Sequence, residues 1–352
     1  MSCKIPPWNR LFAMAYCFRF CLLLALISCM FLPARLHAAE PIRIGCFPNI
    51  THSHALLGKA LGTFEKQTGQ KIDWKHFNAG PSAMEALLAG QLDFAYVGPN
   101  PAVNAFMRSK GKALKIIAGA AHGGAALVVH ADSPIQTSAD LKGKKIAAPE
   151  LGNTQDIALR HWLKTQGFRP GKDLQLVSAK NPEIFIFFQR KQVAAAWVPE
   201  PWLSRLLQEA GGRILIDEKS LWPDGKFPTA VLVVRNEYLL KNPAIVKQIL
   251  KGHLEAEAVF YRNPDKAKKI INQQLAAMLG KPLPEKILDA GFTRVKLTHD
   301  PLATQILSSA QHASDLGYLP RETVYSLSRL KELFELAPLN ELLSAQRKPS
   351  IR

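Results

Sequence analysis

The chain has 352 residues, of which 47% are hydrophobic, and this is enough for two domains with separate cores. Lysine and arginine outnumber aspartate and glutamate by 45 to 28, so the formal net charge is +17 at pH 7. A positive surface favours the capture of anions. The basic residues are spread along the chain without a recognition motif, which argues against nucleic acid as a partner.

Residues 1–39 have the pattern of an export signal peptide. Basic residues precede an apolar run from Phe20 to Leu32, and the small residues Ala38 and Ala39 follow it. The run is too short to span about 30 Å of hydrocarbon as a helix. We therefore expect a periplasmic protein. The alternative is a lipoprotein anchored through Cys29, since this cysteine follows a small residue.

The cysteines indicate how the mature chain is held together. Four of the five lie in the expected signal, which leaves Cys46. No internal disulfide can form from one cysteine, although export leads to an oxidising compartment. The fold must therefore be stabilised by its hydrophobic cores.

From Ile42 onward, short β-branched or aromatic runs alternate with amphipathic stretches. The first unit reads IRIGCF, a helix over His54–Gln67, KIDWKHF, a helix over Ser82–Ala89, DFAYVG, a helix over Ala102–Arg108, and LKIIAGAA. Strands that alternate with helices predict a parallel sheet covered on both faces.

A second unit repeats this plan after an extended segment over Ala125–Ala131. Its elements are KIAAPE, a helix over Thr154–Thr165, LQLVSA, a helix over Pro182–Arg190, AAAWV, a helix over Trp202–Glu209, and RILID. Another extended run, Thr229–Arg235, returns the chain to the first unit, and the pattern is then almost wholly helical from Asn242 to about Ser344.

The two crossings predict a hinge between two α/β lobes. Lobe 1 is expected to contain residues 40–124 and 229–345, the second part as a helical C-terminal extension, and lobe 2 to contain residues 125–228. Residues 346–352 are polar and basic, so we expect a disordered tail.

One segment of the first unit is echoed in the second. Gln91–Val97 recurs 101 residues later as Gln192–Val198, and each copy ends at a proline-rich corner. Two interpretations remain open. The copies are equivalent strands that end at one cleft between the lobes, or they are a chance similarity between two βα units.

Ligands of open α/β sheets bind beyond the carboxyl ends of the strands, where helix N-termini present free N–H groups. The turn after the first strand offers Asn49, Thr51 and His52, although Thr51 is also suited to cap the next helix. The turn Pro149–Asp156 of the second unit contains a glycine and can cradle an oxyanion with its backbone N–H groups.

Other residues have two interpretations each. Ser82 caps a helix, contacts a ligand, or does both. Gly123 brings backbone close to the ligand or supplies hinge freedom, and Glu200 binds an ammonium or hydroxyl group or pairs with a Lys or Arg. Tyr96 and Trp197 line the cleft or belong to the core.

Signatures of catalysis are missing from the sequence. It contains neither a G-x-S-x-G elbow nor an H-E-x-x-H helix. His52 and His54, two residues apart on a turn, do not by themselves make a zinc or copper site. We therefore expect a protein that is not an enzyme and has no metal and no cofactor.

Four segments together resemble a known family. They are FPNITHSHAL (Phe47–Leu56), SAMEALLAGQLDFAYVGPNPA (Ser82–Ala102), GNTQDIALRHWL (Gly152–Leu163) and AAAWVPEPW (Ala194–Trp202). This set is similar to the periplasmic binding proteins of sulfonate, taurine and nitrate ABC importers, and the likeness extends from about Pro41 to Pro320.

The resemblance implies a type II periplasmic-binding-protein fold, with a ligand held between lobes that close about two hinge strands. It also implies a monomer that delivers its solute to an ABC permease and its ATPase. Ala194 departs from the family, which often has Asp there. By likeness, the ligand contacts would come from Asn49, Thr51, His52, Ser82 and Asn100 in the first lobe and from Asn153, Thr154, Gln155 and Glu200 in the second.

The sequence thus favours a transport receptor for a small anionic or polar solute such as an alkanesulfonate, taurine or nitrate. Three alternatives stay open. One is an enzyme on the same scaffold, of the menaquinone or thiamine-precursor type, and another is a binding protein for a thiamine-precursor-like heterocycle. The third is an extracytoplasmic sensor.

Overall fold

The computed structural model describes residues 40–319 and 327–351. The expected signal peptide and Cys29 lie outside these residues. The strands are β1 (Ile42–Cys46), β2 (Ile72–His76), β3 (Phe94–Val97), β4 (Leu114–Gly123), β5 (Ala125–His130), β6 (Lys145–Pro149), β7 (Gln175–Ala179), β8 (Ala195–Pro199), β9 (Gly212–Asp217), β10 (Pro228–Arg235) and β11 (Val295–Leu297).

Two sheets organise these strands. The first has the order β11-β4-β10-β3-β1-β2 and the second the order β7-β6-β8-β5-β9. In the first sheet β1, β2 and β3 are parallel, and the crossing strand β10 lies antiparallel beside β3. In the second sheet β6, β7 and β8 are parallel, and the crossing strand β5 lies antiparallel beside β8. We call the elements around the first sheet the first lobe and those around the second sheet the second lobe.

The echoed segments form the third strand of each lobe. On β3, Phe94 and Tyr96 pack into one apolar cluster while Ala95 and Val97 pack into another on the opposite face. β8 alternates in the same way between the two clusters of the second lobe. Both sheets are therefore buried on both faces, which explains why their strands read as continuous apolar runs.

Helices cover both sheets. They are α1 (Ser53–Leu61), α2 (Thr63–Thr68), α3 (Gly80–Leu88), α4 (Pro99–Arg108), α5 (Thr154–Thr165), α6 (Asn181–Gln189), α7 (Trp202–Glu209), α8 (Asn236–Lys241), α9 (Pro243–Arg262), α10 (Pro264–Leu279), α11 (Glu285–Arg294), α12 (Ala303–Asp315) and α13 (Ala337–Ala345). Within the described ranges, no helix is both long and apolar enough to cross a bilayer.

The helix expected over His54–Gln67 is divided into α1 and α2. Gly62 lies between them with φ of +63°, a left-handed conformation that ends α1. Ahead of α1, residues Ile50–His52 form a separate 3₁₀ turn. Helix α4 begins at Pro99, earlier than expected, because proline suits the first positions of a helix.

The C-terminal part also differs from expectation. The short strand β11 interrupts the helices and pairs antiparallel with the end of β4. Near the chain end, the side chain of Asn340 donates to the carbonyl of Ile351 and accepts from its N–H. Ile351 packs on the core of the first lobe, where the sequence had led us to expect a disordered tail over 346–352.

Candidate ligand site

A polar cavity lies where the strand ends of both lobes meet. Most of the residues that line it lie at or just after the ends of corresponding strands in the two lobes. The lining residues are Phe47, Asn49, Thr51, His52, Asn78, Gly98, Asn153, Gln155, Asn181, Pro199 and Thr229. The space open to the centre of a water molecule is about 20 Å³, so the lobes are nearly closed around it.

The lining follows the internal repeat of the fold. The turns after the first strands, β1 and β6, supply Asn49 and Asn153, and the turns after the second strands, β2 and β7, supply Asn78 and Asn181. The ends of the third strands supply Gly98 and Pro199. Two matching halves therefore face one cavity, as expected for α/β sheets that bind at their carboxyl edges.

Asn49 is held in a defined orientation. Its side-chain oxygen accepts a hydrogen bond of 3.2 Å from the indole N–H of Trp202, which comes from the second lobe. Because the oxygen is used in this bond, the amide NH₂ is the group left for a ligand in the cavity.

His52 is likewise oriented to donate. Its Nδ1 accepts from the backbone N–H of Phe47 at 3.3 Å, and the two rings stack at 4.4 Å. Burial lowers the pKa of His52 to about 3, so the ring is neutral near pH 7. With Nδ1 accepting, the single ring proton lies on Nε2.

Asn153 is the N-cap of α5. Its side-chain oxygen accepts from the backbone N–H of Thr154 at 2.8 Å, which leaves its NH₂ for the cavity. Gln155 lines the cavity from the first turn of the same helix, where the helix dipole favours negative charge. Of the described side chains that line the cavity, none is a Lys, Arg, Asp or Glu.

The two lobes are in close contact at Gly98 and Thr154. A Cβ added to Gly98 would lie 2.3 Å from the hydroxyl oxygen of Thr154. That hydroxyl is buried and has no hydrogen-bond partner. Glycine is therefore required at position 98 for the lobes to close to this separation.

Two other predicted site residues, Ser82 and Asn100, lie away from the cavity lining. The Ser82 hydroxyl donates to the carbonyl of Ala79 at 3.0 Å, so it acts at the start of α3. The Asn100 oxygen accepts from the Ser309 hydroxyl at 2.9 Å, which ties α4 to α12.

Gly123 and Glu200 serve the connection between the lobes. Gly123 ends β4 with φ of +78°, and an added Cβ would lie 2.5 Å from the carbonyl oxygen of Arg294. Glu200 is fully buried. Its oxygens accept from the N–H and hydroxyl of Ser204 and, at 3.1 Å, from the Arg294 guanidinium. Of the two interpretations of Glu200, the geometry favours the ion pair.

Tyr96 and Trp197 are core residues. Both are fully buried. The Tyr96 hydroxyl bonds to Nδ1 of His253 at 2.8 Å, and the Trp197 indole donates to Glu218 at 2.8 Å. Burial raises the pKa of Glu218 to about 7.

His54 points away from the cavity into the first lobe. Its Nε2 lies 3.3 Å from Glu257, and its ring stacks on that of His253 at 4.0 Å with an angle of 7°. Potential ligand atoms of these three residues lie within 4.8 Å of one another. Because a metal lies in the plane of the imidazole that binds it, two parallel stacked rings cannot share one ion in this arrangement.

Six lining residues were missed by the sequence analysis. They are Phe47, Asn78, Gly98, Asn181, Pro199 and Thr229. Asn78 and Asn181 follow the second strands of the two lobes, β2 and β7. The sequence repeat was noticed only at the third strands, and a comparison of the residues after the second strands would have found this pair. Thr229 lies on the crossing strand β10, and its position in the cavity depends on that strand's place in the sheet.

Comparison with known proteins identifies a family and several relatives of this chain. The NMT1-like family model matches residues 37–276. The taurine-binding periplasmic protein of Escherichia coli (strain K12) is 30% identical over 214 residues, which are 60% of this chain and 64% of that protein.

Solved structures share the fold. The alkanesulfonate-binding protein SsuA from Xanthomonas axonopodis pv. citri, bound to MOPS, has a TM-score of 0.70 at 24% identity, over 85% of this chain and 100% of that one. The periplasmic nitrate-binding protein NrtA from Synechocystis PCC 6803 has a TM-score of 0.74 at 17% identity, over 88% and 91%. The α/β periplasmic-binding-protein fold expected from the sequence is thereby confirmed.

Proposed function

Because the chain belongs to the NMT1-like family, we propose that it is the extracytoplasmic solute-binding protein of an ABC importer. It holds a small anionic or polar solute between its lobes. Relatives that bind taurine, alkanesulfonates and nitrate support this function. It acts as a monomer in the periplasm and passes its solute to a permease driven by an ATPase.

The observation that carries the proposal is the cavity formed by matching strand ends of both lobes. A ligand placed there contacts both halves, so it stabilises the closed arrangement over an open one. The moving units are the lobes expected from the sequence, 40–124 with 229–345 and 125–228. Closure then provides the permease with a shape that distinguishes loaded from empty protein.

The hydrogen-bonding state of the lining favours an oxyanion. Asn49, His52 and Asn153 each use their acceptor atom in an internal bond, so each offers a donor. Several donors converging on one space match the oxygens of a sulfonate or nitrate group. The side-chain oxygen of Asn181 is buried without a partner, and it offers one acceptor for an O–H or N–H group of the solute.

A thermal-shift assay on the exported protein tests the proposal. Methanesulfonate, taurine, nitrate and a thiamine precursor are added separately, and a solute that binds only the folded protein raises the unfolding midpoint. We expect a shift with at least one oxyanion. A shift with the precursor alone supports the heterocycle alternative, and turnover of any solute supports an enzyme.

A pair of variants then tests the site itself. Asn153→Ala removes a cavity donor and should weaken binding about ten- to a hundredfold, which is the value of one hydrogen bond to a charged group. Ser82→Ala is the matched control, because the Ser82 hydroxyl bonds to the Ala79 carbonyl ahead of α3, so its removal should leave affinity unchanged. Equal effects of the two substitutions would contradict the site.

A further inference from the structure

One face of helix α5 holds the second lobe against the first. The helix begins beside the polar cavity, at its cap Asn153. One turn later Ile157 is buried in an apolar cluster of the first lobe, and near the end of the helix Lys164 donates to the carbonyl of Asp315 at 3.0 Å. Because these three positions of α5 follow the helical period, they lie on the same side of the helix. The placement of the cavity end of α5 therefore depends on contacts along its length.

Two imidazoles stack across the boundary between the lobes, midway along this face. His161 of α5 and His312 of α12 have ring centres 3.5 Å apart and ring planes at an angle of 10°. Helix α12 belongs to the first lobe, in whose apolar cluster it buries Ile306 and Ala310. The stack thus fastens the helix that carries Asn153 to the opposite lobe.

The stacked arrangement disfavours protonation of either ring. Nδ1 of His161 is buried without a hydrogen-bond partner, so a proton there would be a buried donor without an acceptor. Neutral imidazoles stack favourably, whereas two imidazolium ions with ring centres 3.5 Å apart repel each other. Both effects oppose the uptake of protons while the lobes are closed.

The pKa values of the two rings follow from these contacts. Burial lowers the pKa of His161, and burial together with the neighbouring His161 lowers the pKa of His312 to about 4. Asp315, at the end of α12, raises the pKa of both rings, and Lys164 lowers that of His161. The net effect is downward, so both rings are neutral near pH 7 while they are stacked.

Two more acidic groups near the pair do not balance added protons. Asp156 forms an ion pair of 2.8 Å with Arg160 on the same helix. Glu218 lines the same crevice as the two histidines, and its carboxyl accepts from the Trp197 indole. Because the pKa of Glu218 is about 7, this group also gains a proton as the pH falls, and its negative charge is lost over the same range.

Separation of the lobes reverses the preference of the rings. Once they part, water solvates each ring and its pKa returns toward about 6.5, the ordinary value for histidine. Protons therefore bind the open arrangement more tightly than the closed one, so acidification below about pH 6.5 favours opening. A solute held between the lobes stabilises the closed arrangement and competes with these protons.

Resting on the function proposed above, we propose that His161 and His312 form a pH-sensitive latch. The latch holds the cavity end of α5 against the first lobe at neutral pH. It releases this helix, and the bound solute with it, as the medium becomes acidic. Both histidines are positioning residues, since neither lines the cavity.

Titration calorimetry of the exported protein at pH 7.5 and pH 5.0 tests the latch. Methanesulfonate, taurine and nitrate serve as probes, because their charges hardly change in this range, and the protein is kept well below its unfolding temperature. We expect the affinity of the unsubstituted protein to fall at least about thirtyfold on acidification, since each proton taken up on opening weakens binding about tenfold per pH unit below 6.5. His52 in the cavity contributes to this fall, so variants identify the latch.

The double variant His161→Phe/His312→Phe keeps two stacked rings, neither of which can be protonated. The ratio of its affinities at the two pH values should be at least about tenfold smaller than that of the unsubstituted protein. His312→Gln removes one proton site with a polar side chain and should reduce the ratio in the same direction, which keeps the test decisive if the double variant does not fold.

His76→Phe is the matched control. His76 is an exposed histidine on β2 whose ring contacts Lys59 of the same lobe, so the substitution removes a titrating ring without touching the stack and should leave the ratio unchanged. An equal ratio in the unsubstituted protein and the double variant would overturn the latch and leave the proposed function intact. No binding of any of the three solutes at pH 7.5 would overturn both.

Discussion

The indole N–H of Trp202 donates a hydrogen bond of 3.2 Å to the side-chain oxygen of Asn49. Trp202 begins α7 in the second lobe, and Asn49 follows β1 in the first. The bond therefore crosses the cleft and determines which end of the Asn49 amide faces the cavity.

Substituting Trp202 by Phe tests this relationship. Trp202→Phe keeps an aromatic ring in place but removes the donor, so the Asn49 amide is free to turn. We expect affinity for the solute to fall about three- to tenfold, the value of one neutral hydrogen bond. Titration calorimetry measures the change.

Trp74→Phe is the control for that substitution. The Trp74 N–H is buried without a partner and lies elsewhere in the first lobe, so its removal should not lower affinity. An equal loss in both variants would show that the Trp202 effect is one of general stability.

Gly98→Ala should prevent full closure. The added Cβ would lie 2.3 Å from the Thr154 hydroxyl oxygen, so the lobes must separate to relieve the overlap. We expect at least a tenfold loss of affinity, while thermal unfolding of the unliganded protein changes little. Adding Thr154→Ala removes the overlapping oxygen, and affinity should partly recover in the double variant. Failure of this recovery would mean that the contact does not limit closure.

The Arg294 and Glu200 ion pair should contribute to stability more than to binding. Arg294→Met leaves the Glu200 carboxylate buried with Ser204 as its remaining partner, at a cost of about 3–5 kcal/mol in the free energy of unfolding. Burial already raises the pKa of Glu200, and loss of the guanidinium raises it further. At pH 5 the buried carboxyl can take up a proton, whereas at pH 8 the unfolded state strongly favours the ionised form. The stability lost through Arg294→Met should therefore be larger at pH 8 than at pH 5.

Urea unfolding at both pH values checks this difference. The double variant Glu200→Gln/Arg294→Met should recover part of the stability, because no charge remains buried. A tenfold loss of solute affinity in Glu200→Gln at unchanged stability would instead support a direct role for Glu200 in the site.

Acidification should destabilise the fold through two histidines, the buried His52 and the half-buried His312. Burial lowers the pKa of His52 to about 3, and burial and the neighbouring His161 lower that of His312 to about 4. Unfolded histidine has a pKa of about 6.5. Below that pH the unfolded state binds more protons, so stability falls as pH decreases from 6.5 toward 4.

The His312 contribution can be isolated. Its ring stacks on His161 at 3.5 Å, between α12 and α5. His312→Phe keeps the stack but cannot be protonated, so the urea midpoint should fall less between pH 6.5 and 4.5 than in the unsubstituted protein. An identical pH profile for the two proteins would contradict this assignment.

Much of the fold was predictable because it depends on local patterns. The apolar runs of β1, β3 and β8 and the helices α5 and α7 follow from periodicity alone, and α5 and α7 have the bounds expected from the sequence. The break at Gly62 was missed, since one glycine inside a helical pattern is often tolerated. The strand β11 was also missed because three residues provide no detectable alternation.

The candidate site was predictable only in part. The residues that follow first strands, Asn49 and Asn153, were found because strand-to-helix turns are identifiable in sequence. Ser82 and Asn100 lie in the first turns of α3 and α4, and their side chains bond to Ala79 and Ser309. The Ser82 partner is local, whereas the direction of the Asn100 side chain depends on a neighbour that is distant in the chain.

The sequence by itself determined the alternation of strands and helices, the internal echo and the positions of the turns, since these depend on residues close together along the chain. Only the tertiary structure decided that Trp202 orients Asn49, that Glu200 pairs with Arg294 and that His161 stacks on His312. Those contacts join segments separated by 90 or more positions, and their formation depends on how the two sheets pack against their helices and each other.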